Sequence, residues 1–187
     1  MTDTERQVQA DLYCAFHNTI ELYKQAKGMR MIAGEKSVLD EINKVEVEVP
    51  VEDNDKADIV VFKKDTSFLV IEVKKRAYTQ SGRSLAAASK QVNRYALKLQ
   101  SPFSAVCDGW IFILYQTYRN FQPINIYGLK TNIPFAEKLL SGLIMIDSNR
   151  DGSKYLSELP NVPDPSLVMK RIVPIIEKKL ELKFPNL

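Results

Sequence analysis

Apolar residues recur at helical spacing from Val8 through Leu12, Ala15, Phe16 and Ile20 to Tyr23, which predicts a first amphipathic helix over residues 5–26. A shorter helix is expected over 36–43. The pattern then switches to alternation, with Glu46-Val47-Glu48-Val49 inside a strand over 45–51. Two further strings, Ala57-Asp58-Ile59-Val60-Val61-Phe62 and Phe68-Leu69-Val70-Ile71-Glu72-Val73-Lys74-Lys75, are β-branched and apolar almost throughout. The polar stretch 63–67 between them reads as a turn, so the two strings predict a hairpin of buried central strands. Helical spacing returns at Leu85, Ala88, Val92, Tyr95, Ala96 and Leu99, and stops at Ser101-Pro102. Strands are expected over 110–115 and 124–129. Asn132 caps a helix running to about 143 with Pro134 in its first turn, and a last helix starts at Ser166 with a kink at Pro174. The sum is an α/β chain.

The hairpin carries charges where apolar residues are expected. If it is symmetric about Asp65, Phe62 faces Phe68, Val60 faces Val70, and Asp58 falls opposite Glu72. Side chains repeat every second residue, so Asp58, Glu72 and Lys74 share one sheet face. Two carboxylates about 5 Å apart repel by about 3 kcal/mol at an effective dielectric of ~20. A divalent cation turns that cost into an attraction. The plainer alternative is a hairpin whose polar end protrudes into water.

Asp58, a turn, and then Glu72-Val73-Lys74 resemble the PD-(D/E)xK nuclease motif, with Ala57 where the motif name has Pro. Over roughly 2–116 the chain resembles one branch in particular, the amino-terminal nuclease domain of type I restriction enzyme restriction subunits. The residues that carry this are Glu5-Arg6-Gln7 in the first helix, the Glu-Val-Glu-Val strand, the hairpin, Gln91 and Tyr95 in the next helix, and the strand ending in Cys107-Asp108-Gly109. The resemblance implies a restriction-endonuclease-like fold, a mixed central β-sheet flanked by helices, and metal-dependent hydrolysis of DNA phosphodiester bonds, in restriction or DNA repair. It implies Mg²⁺ or Mn²⁺ held by Asp58, Glu72 and the Val73 carbonyl, with Lys74 orienting or deprotonating the attacking water. Gln91 and Tyr95 would position substrate; read from the pattern alone, Tyr95 is core and Gln91 its exposed neighbour. Glu5 has two open readings, a further metal ligand or a capping box with Thr2. The loop Thr79-Gln80-Ser81-Gly82-Arg83, following the Glu72 strand, is expected to act as a flap contacting DNA.

Charge distribution bears on the partner. Residues 1–55 carry a balance of −6, whereas 63–98 carry +7. The bases Lys75, Arg76, Arg83, Lys90 and Arg94 therefore bracket the carboxylates and are the expected DNA-binding residues. Any helicase or other restriction or repair subunit is expected on a separate chain. The oligomeric state stays open, a dimer being one form. A non-catalytic nucleic-acid-binding or assembly module of the same fold is the alternative from another class.

Composition narrows the rest. With 45% hydrophobic and 26% charged residues among 187, the chain reads as one globular domain over 1–187, its core about 2–130 and a helical extension about 131–187. Two cysteines and one histidine exclude a disulfide framework and any site needing two His ligands. No apolar run reaches membrane length and the start is no signal peptide, so a cytoplasmic location without membrane contact is expected. Residues 147–158 fit the EF-hand loop expression, but Lys154 stands where that loop buries an aliphatic residue and Pro160 and Pro163 interrupt the exiting helix. An Asp/Asn/Gly turn is the better reading.

Overall fold

The computed structural model describes residues 5–34, 37–52, 54–75, 82–118, 123–129 and 132–160. In chain order the elements are α1 (Glu5–Ala33), β1 (Ile42–Glu52), β2 (Asp55–Lys63), β3 (Thr66–Val73), α2 (Gly82–Lys98), β4 (Phe103–Cys107), β5 (Ile111–Gln116), β6 (Pro123–Gly128), α3 (Ile133–Asp147) and the short α4 (Ser153–Leu156). The six strands form one sheet in the order β1-β2-β3-β4-β5-β6. Every neighbouring pair is antiparallel except β3 and β4, which run parallel. A parallel pair needs a crossover, and α2 supplies it.

Each face of this mixed sheet is buried by helix. On one side, Leu12, Phe16 and Ile20 of α1 and Leu139, Leu140 and Leu143 of α3 pack on Ile59, Leu69, Ile71, Ala105 and Phe112. On the other, Leu85, Ala88, Val92, Tyr95 and Ala96 of α2 pack on Val60, Val70, Val106, Ile113 and Ile126. This double cover is why β2 and β3 read as continuous apolar runs. Polar residues in the α2 layer are satisfied: Ser89 Oγ and Tyr115 Oη lie 2.6 Å apart, and Ser104 Oγ donates to Asn93 Oδ1 at 2.6 Å. Because α3 belongs to the first layer, the core continues beyond the boundary expected near residue 130.

Several expected boundaries move. Helix α1 runs to Ala33 rather than 26, since Met, Arg and Lys favour helix and Gly28 costs only about 1 kcal/mol; Gly34, at φ +79°, follows its end. Instead of a helix over 36–43 there is one 3-10 turn, Val38–Glu41, closed by a Ser37/Asp40 capping box, because Ile42 already pairs with Lys63. The strand expected over 45–51 extends over the whole of β1. Gly82 and Arg83 belong to the first turn of α2, not to the expected loop. β5 starts one residue later than expected, leaving Trp110 in a turn, and α3 continues four residues beyond 143. The Asn132 cap and first-turn Pro134 are as the sequence predicts. Thr2, Arg76, residues 79–81 of the expected flap and the helix expected from Ser166 lie outside the described residues.

The hairpin also differs in detail. Lys64 and Asp65 both have positive φ, 50° and 66°, making a two-residue turn with Lys63 opposite Thr66. Phe62 therefore faces Ser67, not Phe68. An irregularity between Val61 and Phe62 then shifts the ladder by one, restoring the Val60–Val70 and Ile59–Ile71 pairs. Phe68 packs edge-on against Phe103, with ring centroids 5.3 Å apart.

Candidate functional site

Continuing the ladder one step past Ile59–Ile71 brings Asp58 level with Glu72. Glu72 belongs to the face of Val70 by the two-residue repeat, the face that α2 covers. The Asp58 carboxylate reaches across to β3, where Oδ2 accepts the Val73 N–H at 2.7 Å. Glu72 is only 2% exposed, and its Oε1 accepts a short hydrogen bond from Lys74 Nζ. Its other oxygen, Oε2, is buried without a hydrogen-bond partner among the described residues.

Burial and crowding show in the titration of these groups. The Glu72 carboxyl is pushed up to about 7, first by burial and then by the Asp58 charge; Lys74 opposes this and Glu5 adds to it. Asp58 is also raised by burial, against the Val73 hydrogen bond and Lys74, with Glu5 and Glu48 pushing the same way as burial. Burial alone would lower Lys74, but its hydrogen bond to Glu72 and the charges of Glu72, Glu5 and Asp58 outweigh it, so its ammonium is held above the usual lysine range. The exposed Glu5, in the first turn of α1, is thus close enough to act electrostatically on all three groups.

Two residues not singled out from sequence join them. Gln9, one turn along α1, donates through Nε2 to the Asp58 carbonyl at 2.9 Å and lies 3.5 Å from Glu48 Oε1. Glu48 falls between the Val47–Ile59 and Val49–Ala57 pairs, level with Asp58, and has a left-handed φ of 54°. Glu48, Asp58 and Glu72 therefore stand abreast on β1, β2 and β3. The turn-forming run Asp53-Asn54-Asp55 was the available signal, since a β1–β2 hairpin centred on 53 sets Glu48 opposite Asp58.

The α2 residues occupy the same face. Tyr95 is 3% exposed in the core with Val60 and Val70, and its hydroxyl accepts from the half-buried Gln91 Nε2 at 3.1 Å. Arg94 covers the Tyr95 ring at 5.2 Å and binds Asp55 at 2.6 Å. Other bases are likewise occupied: Lys98 by Glu52, Lys63 by Glu41 and Asp147, Lys64 by Glu41. Lys75, Arg83 and Lys90 are exposed and have no carboxylate in ion-pair range among the described residues. At the EF-hand-like stretch the acids are engaged by separate partners. Asp147 binds Lys63, Glu158 binds Lys138, and Asp151 accepts the Ser153 N–H at 2.8 Å.

Among the described residues no three His, Cys, Asp or Glu side chains come together as a metal-holding group, and no helix is long and apolar enough to cross a membrane. The site therefore consists of two opposed carboxylates and a lysine on an α/β sheet, with a third and a fourth acid at its border. The family model described as type I restriction enzyme R protein N terminus matches residues 35–130, and the chain belongs to that family. The match spans β1 to β6, including Asp58, Glu72, Lys74, Gln91 and Tyr95, while Glu5 precedes it. No curated protein and no solved structure matches the chain.

Proposed function

We propose that this domain hydrolyses DNA phosphodiester bonds with the help of Mg²⁺ or Mn²⁺. The observation that carries the reading is Glu72: a carboxylate sealed from water, with one oxygen on Lys74 and the other without a partner among the described residues. Leaving such an acceptor unmet costs about 1–3 kcal/mol or more, which a cation would recover. Asp58, Glu72 and the Val73 carbonyl would hold the ion, with Glu5 at the border. The element order of helix, three-strand meander, crossover helix and parallel strand supports a restriction-endonuclease-like reading of the fold.

The bound ion would polarise the scissile phosphate and lower the pKa of water. Lys74, whose ammonium is stabilised by three acids, stays protonated at neutral pH. Its role is therefore to donate hydrogen bonds to the attacking water and to offset charge growing on the phosphate, rather than to remove a proton. Gln91 and Tyr95 hold the adjoining wall, and Lys75, Arg83 and Lys90 draw in the backbone of the strand.

A second reading has its own support. Because no third acid completes a metal-holding group among the described residues, a module that binds nucleic acid or assembles a larger complex without cutting also fits. Incubating the protein with plasmid and linear DNA in Mg²⁺, Mn²⁺ or EDTA separates the two. Metal-dependent cleavage that is lost in Lys74→Ala while DNA binding persists supports the nuclease; cleavage unchanged in that variant overturns it. Binding without cleavage in either metal supports the module.

A further inference from the structure

Trp110 is 47% exposed, yet its mount is fixed. The preceding Asp108 is buried to 1% exposure, and its Oδ1 accepts both the Trp110 N–H at 3.0 Å and the Ile111 N–H at 3.1 Å. The Trp110 carbonyl accepts the Leu129 N–H at 2.8 Å. Between them Gly109 takes φ +81°, and its α-carbon lies so near Val8 that an added Cβ would sit 2.9 Å from Val8 Cγ2. Isolated exposed apolar side chains are ordinary. One whose main chain is held by a buried carboxylate, a left-handed glycine and the Leu129 N–H stands on a fixed mount.

The turn lies beside the acids. β4 pairs in parallel with β3, Val73 is level with Cys107, and the Lys74 N–H donates to the Cys107 carbonyl at 2.7 Å. Trp110 follows Cys107 by three residues. Val8, against which Gly109 packs, follows Glu5 by three on α1, and Glu5 acts electrostatically on Asp58 and Glu72. Both sides of the turn thus lead to the carboxylates, with exposed Lys75 next to Lys74 to meet a phosphate.

We infer that Trp110 is a stacking platform for an unpaired nucleobase of the strand bound at the carboxylates, which deepens the proposed DNA-handling role and rests on it. An indole face accepts any base, so the stack adds affinity and fixes the strand without reading sequence. Bases inside a duplex already stack on one another, so a single-stranded or frayed substrate is the one that engages it.

Trp110 is the only tryptophan of the chain, so its emission reports this position alone. In EDTA, saturating the 187-residue chain with a short single-stranded oligonucleotide, followed by anisotropy of a labelled strand, is expected to quench that emission; a blunt duplex quenches less. Trp110→Ala weakens oligonucleotide binding roughly 5- to 150-fold, the loss of one base stack, and Trp110→Phe restores most of it. Unchanged emission at saturation, or equal affinity in Trp110→Ala, overturns the inference, and so does failure of any oligonucleotide to bind. Quenching without cleavage in Mg²⁺ or Mn²⁺ sinks the nuclease reading and keeps the platform. Cleavage without quenching does the reverse.

Discussion

The main-chain N–H of Val73 donates to Asp58 Oδ2 at 2.7 Å, so the first acid of the site is fastened to the residue standing between Glu72 and Lys74. Asp58→Asn keeps an oxygen for that N–H and removes a charge that burial disfavours. It should be at least as stable as the parent at pH 8. Asp58→Ala leaves the N–H unmet and should lose about 1–3 kcal/mol in urea unfolding. Both should abolish cleavage, so a stable but inactive Asn variant separates the two duties of the residue.

Stability of the metal-free protein should fall as pH rises from about 4.5 to about 7. The folded-state value for Glu72, about 7, lies above the unfolded value of 4.5, so the native state holds a proton that the unfolded chain has released. The loss across that window is on the order of 3 kcal/mol for this group and levels off above it. Asp58, also raised, acts in the same sense. Denaturant midpoints measured against pH should show the slope in the parent and a much flatter line in Glu72→Gln.

Removing the lysine should sharpen the penalty at high pH. Lys74→Met strands the buried Glu72 carboxylate and should cost roughly 3–5 kcal/mol at pH 8, less at pH 5 where the acid is protonated. Adding Glu72→Gln should recover most of that stability. Neither variant should cut DNA well, with a fall of about 10²–10³-fold for Lys74→Met if its hydrogen bonds offset transition-state charge.

Ion pairing divides the bases into two groups that DNA binding should resolve. Replacing Lys75, Arg83 or Lys90 with Gln should weaken binding and lower the slope of log affinity against log salt by about 0.9 for each duplex phosphate that is no longer neutralised. Lys98→Gln and Arg94→Gln remove charges already committed to Glu52 and Asp55, and should leave that slope nearly unchanged.

Gly109→Ala should destabilise the protein by about 1–3 kcal/mol, since a left-handed backbone and the Val8 side chain both resist a Cβ there. Calorimetry on Gly109→Ala alone and with Val8→Ala divides the cost: the steric part is relieved in the double variant and the backbone part remains.

The opposition of Asp58 and Glu72 was legible because apolar runs on two buried strands allow few registers. The symmetric turn that suggests it is nevertheless one the protein does not make. The two-residue turn at Lys64-Asp65 displaces Phe62 onto Ser67, and the irregularity beside it cancels the displacement before the acids are reached. Gln9 was hidden for a different reason: a polar residue on a helix reveals its partner only once the helix is docked, and that partner is a carbonyl 49 residues away. The same holds for Arg94, which looked like a free cation until Asp55, 39 residues distant, was brought to it. The existence of α1 and α2 followed from periodicity, whereas helix ends depended on exposed residues that carry little pattern, and the helix expected over 36–43 is only a 3-10 turn.

Strand order equal to chain order also has a consequence for how the molecule is made. The β1–β2–β3 meander joins neighbours in sequence through short turns and can zip early, whereas β4 must wait for α2 to cross over. During that early stage Asp58 and Glu72 already face each other, but water still separates their charges. The burial that raises both carboxyls is complete only once the helices dock, so the late docking step, not the hairpin, carries the electrostatic cost.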